Sequence, residues 1–332
     1  MERTQLFKQC RKWLYVGTGL WVFCLLCPGA FSQSSLATGS SITTNSSSLD
    51  RTVVESGKSS NLIFETLDYP GALATRALGI NAQGTVVGSF DDNDGTHGFV
   101  FEDGKFKVVD ISGSPSTQIK CINSRGEGVG FYLDSDFNSR GFYWFKGRFR
   151  TVNVPFSLET RAEGITDAGV ISGEYVDEQG NEHGYLLRDT EFETIDVPNS
   201  FSTDVWMVSN DGWLTGDYSS ATTVLAYVRS KNGTFTTLNI PGSIAASARA
   251  INDRHEVVGR WDDNSVPGDP LACTTQCHGF YWSNGHSAEV RFPGAAYTLA
   301  LGINNCSYIV GRYVDVSNNE HGFIAHPREG LE

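Results

Sequence analysis

The sequence predicts an all-β protein, a six-bladed β-propeller of four-stranded antiparallel blades. Composition points that way first, because 36 glycines in 332 residues and 12% aromatic residues suit short strands joined by turns. A pattern of mostly 43 residues then recurs six times along the chain. The first five copies each contain four strand-like segments, which is the content of one propeller blade, and the sixth contains three.

The N-terminus has the features of an export signal. Basic residues precede an apolar run from Leu14 to Leu26 that is short for a bilayer span, and small residues stand at Ala30 and Ser32. We therefore expect residues 1–32 to be removed and the protein to be secreted or periplasmic; a retained membrane anchor is the alternative. Residues 33–60 are rich in Ser and Thr and predict a flexible leader.

The six repeat units, numbered one to six in chain order, align on a glycine that ends a Val-Val-Gly type of segment. An aromatic residue follows two positions later in every unit. A His-Gly-aromatic segment comes next; it changes to Arg140-Gly141-Phe142 in unit two and is lost in unit four. The aligned glycines are Gly88, Gly130, Gly173, Gly216, Gly259 and Gly311.

Two further segments complete each unit. A Gly-Ile-Asn segment comes first and is clearest at Gly79-Ile80-Asn81 and Gly302-Ile303-Asn304; an alternating strand comes last, as in KFKVVDI at 105–111. Together these motifs resemble secreted bacterial proteins with the HAF-type extracellular repeat, whose units read G-I-N-x-x-G-x-V-V-G followed by H-G-F. The resemblance covers nearly all of the chain after the leader. It implies export and repetition rather than a particular activity.

The segment IFETLDY at 63–69 predicts how the ring closes. It precedes unit one, whereas nothing after His321-Gly322-Phe323 supplies a fourth strand for unit six. We expect this N-terminal strand to complete the last blade and so to cover an edge that would otherwise invite aggregation. The propeller would span residues 61–327 and leave a tail at 328–332; an open β-solenoid is the alternative.

Acidic residues and histidines flank the loop between the second and third strands of most units. Because the pair recurs, we interpret it as a structural hydrogen bond that closes each hairpin, and not as a catalytic site. Histidines in separate blades lie too far apart for one zinc ion. Calcium is a minor alternative at Asp91, Asn93 and Asp94, and no cofactor is otherwise expected. The recurring pairs are Asp92 with His97, Asp177 with His183, Asp263 with His278, and Asp315 with His321.

The turns between units share one face of a propeller with these hairpins. Aromatic side chains there can stack on sugar rings or anchor a protein, and two arginines follow Thr75 and Thr160 near the innermost strands. The sequence therefore predicts a non-enzymatic binding or scaffold module for an extracellular glycan or protein. The predicted binding residues are Tyr69, Arg76, Phe156, Arg161, Phe201, Trp206 and Tyr297.

A polysaccharide lyase or glycoside hydrolase on a propeller frame is the alternative function. The sequence contains no G-x-S-x-G, phosphate-loop or H-E-x-x-H motif, so an active site would come from residues that break the repeat. Weak candidates are Arg140, Arg161, His255 and Tyr175, a cation and base set suited to a uronic acid. The net charge of −13 disfavours an anionic substrate and argues against nucleic acid as a partner.

Four cysteines remain after the signal. Cys273 and Cys277 lie in an insertion of unit five at 264–277 and are predicted to form a disulfide in an oxidising compartment. Cys121 and Cys306 are expected to stay as thiols.

Overall fold

The computed structural model describes residues 62–263 and 277–328, and these residues form strands and turns with no helix. The predicted signal, the leader, Cys273, most of the unit-five insertion and the end of the tail lie outside the described residues. The strands follow the repeat: unit one holds four strands, and so do units two to five. Unit six holds three of its own.

The strands of the first half come in the order that the motifs predict. An N-terminal strand precedes unit one, and each unit runs from its Gly-Ile-Asn strand to its alternating strand. They are β1 (Leu62–Leu67), β2 (Ala74–Ile80), β3 (Val86–Asp91), β4 (Thr96–Glu102), β5 (Lys105–Val109), β6 (Thr117–Ile122), β7 (Gly128–Leu133), β8 (Ser139–Phe145), β9 (Arg148–Val152), β10 (Glu159–Ile165), β11 (Ile171–Val176), β12 (Glu182–Arg188) and β13 (Glu191–Ile195).

The second half repeats the pattern, and unit six ends without an alternating strand. The remaining strands are β14 (Ser202–Val208), β15 (Leu214–Ser219), β16 (Val224–Arg229), β17 (Phe235–Thr237), β18 (Ala245–Ile251), β19 (Val257–Asp262), β20 (Cys277–Ser283), β21 (His286–Val290), β22 (Tyr297–Ile303), β23 (Ile309–Val314) and β24 (Glu320–Pro327).

The prediction of six separate sheets needs a correction. Units two to five each form a separate four-stranded antiparallel sheet, whereas the strands of units one and six form a single eight-stranded sheet. Within that sheet, β24 meets β2 only through one parallel bridge between Glu320 and Ala74. Two antiparallel arrays, β2 to β5 and β22 to β24 with β1, are therefore joined at one point.

The first strand of every unit lies around a common axis. One small cavity is lined by one side chain from each of these six innermost strands, together with Met207. The circuit closes between the first and last units, because Asn304 Nδ2 donates to the carbonyl oxygen of Asn81 at 3.0 Å. Asn81, Asn123 and Asn252 make the same kind of bond to a neighbouring unit. The Asn of the Gly-Ile-Asn segment is thus a link between units.

The N-terminal strand takes the place that the sequence predicts. β1 pairs antiparallel with β24 from Leu62 opposite Pro327 to Leu67 opposite Gly322. Phe64 and Leu67 are buried, and Phe64 packs on Phe323 of β24. The edge of the last sheet is therefore covered by the start of the described chain.

Close packing explains the aligned glycines. A Cβ on Gly173 would lie 2.0 Å from the carbonyl oxygen of Arg161 in the innermost strand, and the equivalent distance is 1.8–2.1 Å in the other units. The aromatic ring of the His-Gly-aromatic segment fills the space beside that glycine, as Tyr185 does at 2.8 Å. These rings are fully buried and form the cores between sheets. The aligned glycine and the aromatic residue of the His-Gly-aromatic segment therefore contact each other within a unit.

Candidate functional site

Two ends of the ring differ in their residues. The turns between first and second strands, with their Asn side chains, lie at one end. The hairpin loops and the turns that lead into the innermost strands lie at the other, which we call the loop face. Its centre combines an apolar rim with a charged channel.

The apolar rim consists of the residues directly before four innermost strands: Leu73, Leu158, Phe201 and Ile244. Their backbone N–H groups donate to carbonyl oxygens of the second strand at 2.7–2.9 Å. Their side chains are nevertheless 65%, 48%, 72% and 44% exposed. Large apolar side chains that are exposed to solvent on a fixed backbone are typical of a surface that binds another molecule. Units two and six have Ser116 and Ala296 at this position.

The predicted aromatic contacts divide into two groups. Phe201 belongs to the rim, and Phe156 beside it is 85% exposed with a φ of 65°. Tyr69 instead stacks on Phe90 at 3.7 Å between ring centroids, so one face of its ring is already covered. Tyr297 is half-buried at the start of β22. Among the described turns that lead into innermost strands, those of units three and four present aromatic rings openly to solvent, and Phe137 in the hairpin loop of unit two is also 71% exposed.

Below the rim, one side of the channel is acidic. Glu174, Glu182 and Asp204 each bring a carboxylate oxygen within 4.8 Å of the other two. Arg161 Nη1 lies 2.9 Å from Glu174 Oε1 and its Nε donates to Ser139 Oγ at 3.0 Å. This arginine, predicted as a binding residue, is therefore held inside an ion pair.

The same side holds a fourth carboxylate, Asp217, which is 5% exposed. The indole Nε1 of Trp206 donates to Asp217 Oδ2 at 2.6 Å, and Ser247 Oγ donates to the same atom. Burial, and then the charge of Glu174, raise the pKa of Glu182 to about 7. Burial and neighbouring carboxylates also raise the pKa of Asp204 well above its ordinary value. Acids in this cluster keep protons to unusually high pH.

The part of the channel formed by units five and six carries arginines. Arg260 and Arg312 occupy, in units five and six, the position that Glu174 and Asp217 occupy in units three and four. Burial, and then the charge of Arg249, lower the pKa of Arg260 to about 9. The channel therefore carries carboxylates on units three and four and arginines on units five and six, where Arg312 pairs with Glu320.

Deeper in the channel the lining is charged on one side and apolar on the other. The cavity on the axis has Lys120, Glu163, Trp206 and Arg249 on one side and leucines on the other. Lys120 Nζ lies 3.2 Å from Glu163 Oε2, and the Arg249 guanidinium lies 3.6 Å from the centroid of the Trp206 ring. Trp206, also a predicted binding residue, is thus part of the channel wall. The leucines are Leu78 and Leu301.

Arg76, the remaining predicted binding residue, is also committed to ion pairs. Its Nε lies 2.8 Å from Glu320 Oε1 and its Nη2 lies 2.8 Å from Asp91 Oδ2. Asp91 further accepts from Thr96 Oγ1 at 2.8 Å. The carboxylate of this minor calcium candidate is therefore already engaged by protein donors, while Asn93 and Asp94 are exposed.

The recurring histidines bridge two strands. His97 Nε2 lies 3.1 Å from Asp92 Oδ1, and its Nδ1 lies 2.7 Å from Asp110 Oδ2 after the outermost strand. Each ring also stacks on the aromatic residue of its own second strand, as His97 does on Phe90. In units one and three the imidazole hydrogen-bonds to both the hairpin and the residue after the outermost strand, whereas in units five and six Nε2 lies 3.5 and 3.6 Å from the hairpin aspartate and only Nδ1 is closely bonded. The others are His183 with Asp177 and Asp196, His278 with Asp263 and Glu289, and His321 with Asp315 and Asp68.

The lyase candidates are dispersed. Arg140 pairs with Asp134 at 2.8 Å and donates to the carbonyl oxygen of Leu158. Tyr175 shares a hydrogen bond with Thr194 at 3.0 Å. His255 lies in the turn between β18 and β19, at the end of the ring opposite the loop face.

Cysteine chemistry differs from the prediction at one position. Cys121 is a free, buried thiol, as expected. Cys306 is disulfide-bonded, so the expectation that it remains a thiol is wrong. Cys277 is also disulfide-bonded, and its predicted partner Cys273 lies outside the described residues.

Sequence reasoning missed most of the channel. The position after each aligned glycine reads Ser89, Phe131, Glu174, Asp217, Arg260 and Arg312 around the ring. Charged residues inside a strand whose neighbours are buried were the available signal. The rim residues Leu73, Leu158 and Ile244 were missed because an aliphatic residue in a turn attracts no functional interpretation.

No protein family profile matches the sequence, and no curated protein is significantly similar to it. Among solved structures, the putative TolB from Agrobacterium tumefaciens aligns with a TM-score of 0.51 and 11% identity over 75% of this chain and 89% of that chain. Virginiamycin B lyase from Staphylococcus aureus aligns with a TM-score of 0.47 and 13% identity over 79% and 99% of the two chains.

The β-propeller domain of the Trilobed protease from Pyrococcus furiosus gives a TM-score of 0.44 and 13% identity over 70% and 78% of the two chains. At sequence identities this low, structural similarity indicates a shared fold and does not indicate a shared activity. Within the described residues, no helix is long and apolar enough to cross a membrane. The chain has an all-β, β-propeller-like fold.

Proposed function

We propose that this protein is a secreted, non-catalytic binding module that recognises an extracellular glycan or protein through its loop face. The observation that carries the proposal is the apolar rim. Four turns around the mouth of the channel are fixed by backbone hydrogen bonds, and each exposes a large apolar side chain. Sugar rings and protein side chains both pack on such surfaces. The exposed ring of Phe156 extends the rim beside unit three.

We further propose that the ring has six blades, with the eight-stranded sheet acting as two. The single bridge between Ala74 and Glu320 supports this count, and so does the axial cavity that receives one side chain from each unit. Membership of the HAF-type repeat group and export by residues 1–32 remain parts of the same proposal.

The experiment measures binding of the purified chain to an array of glycans and to envelope fractions. In a Leu158→Ser, Phe201→Ser variant we expect at least a tenfold loss of affinity, because each truncation removes about 1–3 kcal/mol of apolar contact. Val108→Ser is the matched control, since Val108 is 43% exposed on the outermost strand β5. Absence of any ligand, or equal affinity of the rim variant and wild type, contradicts the proposal.

A glycoside hydrolase is the second candidate, favoured by the one-sided acidic cluster. A carboxylic acid with a pKa of about 7, such as Glu182, suits general acid catalysis at neutral pH. Release of reducing ends from a polysaccharide panel, and its loss in Glu182→Gln, would establish this candidate. The dispersed positions of Arg140 and His255 give the lyase alternative no comparable support.

A further inference from the structure

Three carboxylates from two units converge below the apolar rim. Glu174 lies in β11, Glu182 begins β12 and Asp204 lies in β14, and their oxygens are all within 4.8 Å of one another. Calcium binds oxygen at about 2.3–2.6 Å, so oxygens on opposite sides of one ion are separated by about 4.6–5.2 Å. Three oxygens at this mutual distance lie no more than about 2.8 Å from a common centre, so a small inward shift of the side chains places all three within reach of one ion.

Two buried oxygens in the cluster have no hydrogen-bond partner. Glu174 is 3% exposed, and its Oε2 is a buried atom without a donor. The other oxygen, Oε1, accepts from Arg161 at 2.9 Å, which leaves Oε2 as the free ligand position. Asp204 Oδ1 is buried and unpartnered in the same way. Buried carboxylate oxygens normally have donors or a metal ion, because leaving them bare is costly.

The surrounding charges favour a cation. Asp217 adds a carboxylate that is already held by Trp206 and Ser247, and Glu159 lies on the outer side of Arg161 at 3.7 Å. Arg161 is the cation paired with this group, and its N–H donors are directed to Glu174 and Ser139. A divalent cation bound among these carboxylates would offset their mutual repulsion. Glu182 is half-buried, so the cluster has a side open to solvent.

We propose that Glu174, Glu182 and Asp204 form a binding site for a hard divalent cation, Ca²⁺ in preference to Mg²⁺ or Zn²⁺. Carboxylate-only donors suit Ca²⁺, whereas Zn²⁺ selects nitrogen and sulfur ligands. Mg²⁺ requires oxygens at about 2.0–2.1 Å in a strict octahedron, which is a tighter arrangement than this cluster offers. Water completes the coordination shell on the side of Glu182. The ion ties unit three to unit four beneath Phe201.

The experiment uses the full chain after treatment with a chelator. Titration with CaCl2 is followed by calorimetry and by the unfolding temperature, and TbCl3 is followed by luminescence excited through the indole of Trp206, which contacts the cluster through Asp217. We expect saturable binding of one ion and a rise in unfolding temperature with CaCl2. These readouts do not depend on any glycan ligand or turnover, so the site can be judged separately from the proposed function.

Variants locate the ion. Glu182→Gln removes a half-buried ligand, and we expect at least a tenfold weaker affinity for Ca²⁺ with an unchanged fold. Glu178→Gln is the matched control, because Glu178 is an exposed acid on the hairpin of the same unit. Asp94→Asn tests the hairpin of unit one and should bind as wild type does. No saturable binding in the wild type, wild-type affinity in Glu182→Gln, or loss of binding in Asp94→Asn overturns the proposal.

Discussion

The imidazole Nδ1 of His321 lies 2.7 Å from Asp68 Oδ2, and the two residues are 253 positions apart. Asp68 follows β1, and His321 lies in β24. Inside unit one, His97 makes the same contact with Asp110 across only 13 positions. The contact that closes the ring is therefore the one that units one and three make within themselves, with the N-terminal strand supplying the acid.

Removing the packing of the N-terminal strand should destabilise the whole molecule. Leu67 is fully buried, and Leu67→Ala is expected to lower the free energy of unfolding by about 2–5 kcal/mol. Leu73→Ala, at a rim residue that is 65% exposed, should change it by less than about 0.5 kcal/mol. Urea denaturation measures both. Equal effects would mean that β1 is not part of the cooperative unit.

The histidine bridges should make stability depend on pH. Burial alone would lower the pKa of His97 and of His183, but the carboxylates of Asp110 and Asp196, aided by the hairpin aspartates, outweigh it and raise both above 6.5. A raised pKa means that folding favours the imidazolium. Its contribution is complete below about pH 6.5 and is lost as the pH rises through the raised value.

The corresponding test compares wild type with His97→Gln, His183→Gln. The difference in free energy of unfolding should be larger at about pH 5.5 than at about pH 8.5. Arg140→Gln is the control, because the guanidinium that replaces histidine in unit two stays charged across this range. Its cost should be the same at both pH values. A histidine variant whose cost does not change with pH contradicts the assignment of these bridges.

The aligned glycines should tolerate no side chain. Gly173→Ala places a Cβ 2.0 Å from the Arg161 carbonyl oxygen and should cost about 3 kcal/mol, the upper part of the overpacking range. Gly180 has a φ of 85° and no atom within 4 Å of its Cβ position. Gly180→Ala should therefore cost only the backbone strain of about 1–2 kcal/mol. Chemical denaturation separates the two, and equal costs would contradict the close-packing explanation.

The link between the last and first units can be tested with one isosteric change. Asn304→Asp keeps the oxygen that accepts from Cys306 and Tyr308 but removes the donor to the Asn81 carbonyl. Because Asn304 is buried, the new carboxylate oxygen also faces the Asn81 carbonyl oxygen, and the lost bond and the buried charge together should cost at least about 1–3 kcal/mol. Asn318→Asp, at an exposed hairpin position, makes the same chemical change without that bond. If thermal unfolding is equally affected in both variants, the link does not contribute to stability.

The sequence predicted the strands well because their signals are local. The spacing of Gly88 and Gly130, the aromatic two positions later and the alternating outermost strand all describe contacts inside one unit. The joining of β24 to β2 could not be predicted, since a single bridge at Ala74 depends on how two units meet. The charged channel was missed for the same reason: Glu174 and Asp204 come together only when units three and four pack side by side.

The aromatic predictions show a second limit. Tyr69 and Phe201 occupy similar turns, yet Tyr69 lies flat on Phe90 while Phe201 is open to solvent. Sequence identifies an aromatic residue in a turn, but whether its face is covered depends on the residue on the adjacent strand.

The pairing of β1 with β24 also sets the order in which the molecule can be completed. A ribosome releases β1 long before β24, so β1 must wait with its backbone groups solvated until β24 emerges. A truncation that removes β24 would therefore leave β1 and one edge of β23 without a partner at once. A circular permutant that begins at β2 and continues from β24 through a short linker into β1 would turn this last, long-range step into the formation of a simple hairpin.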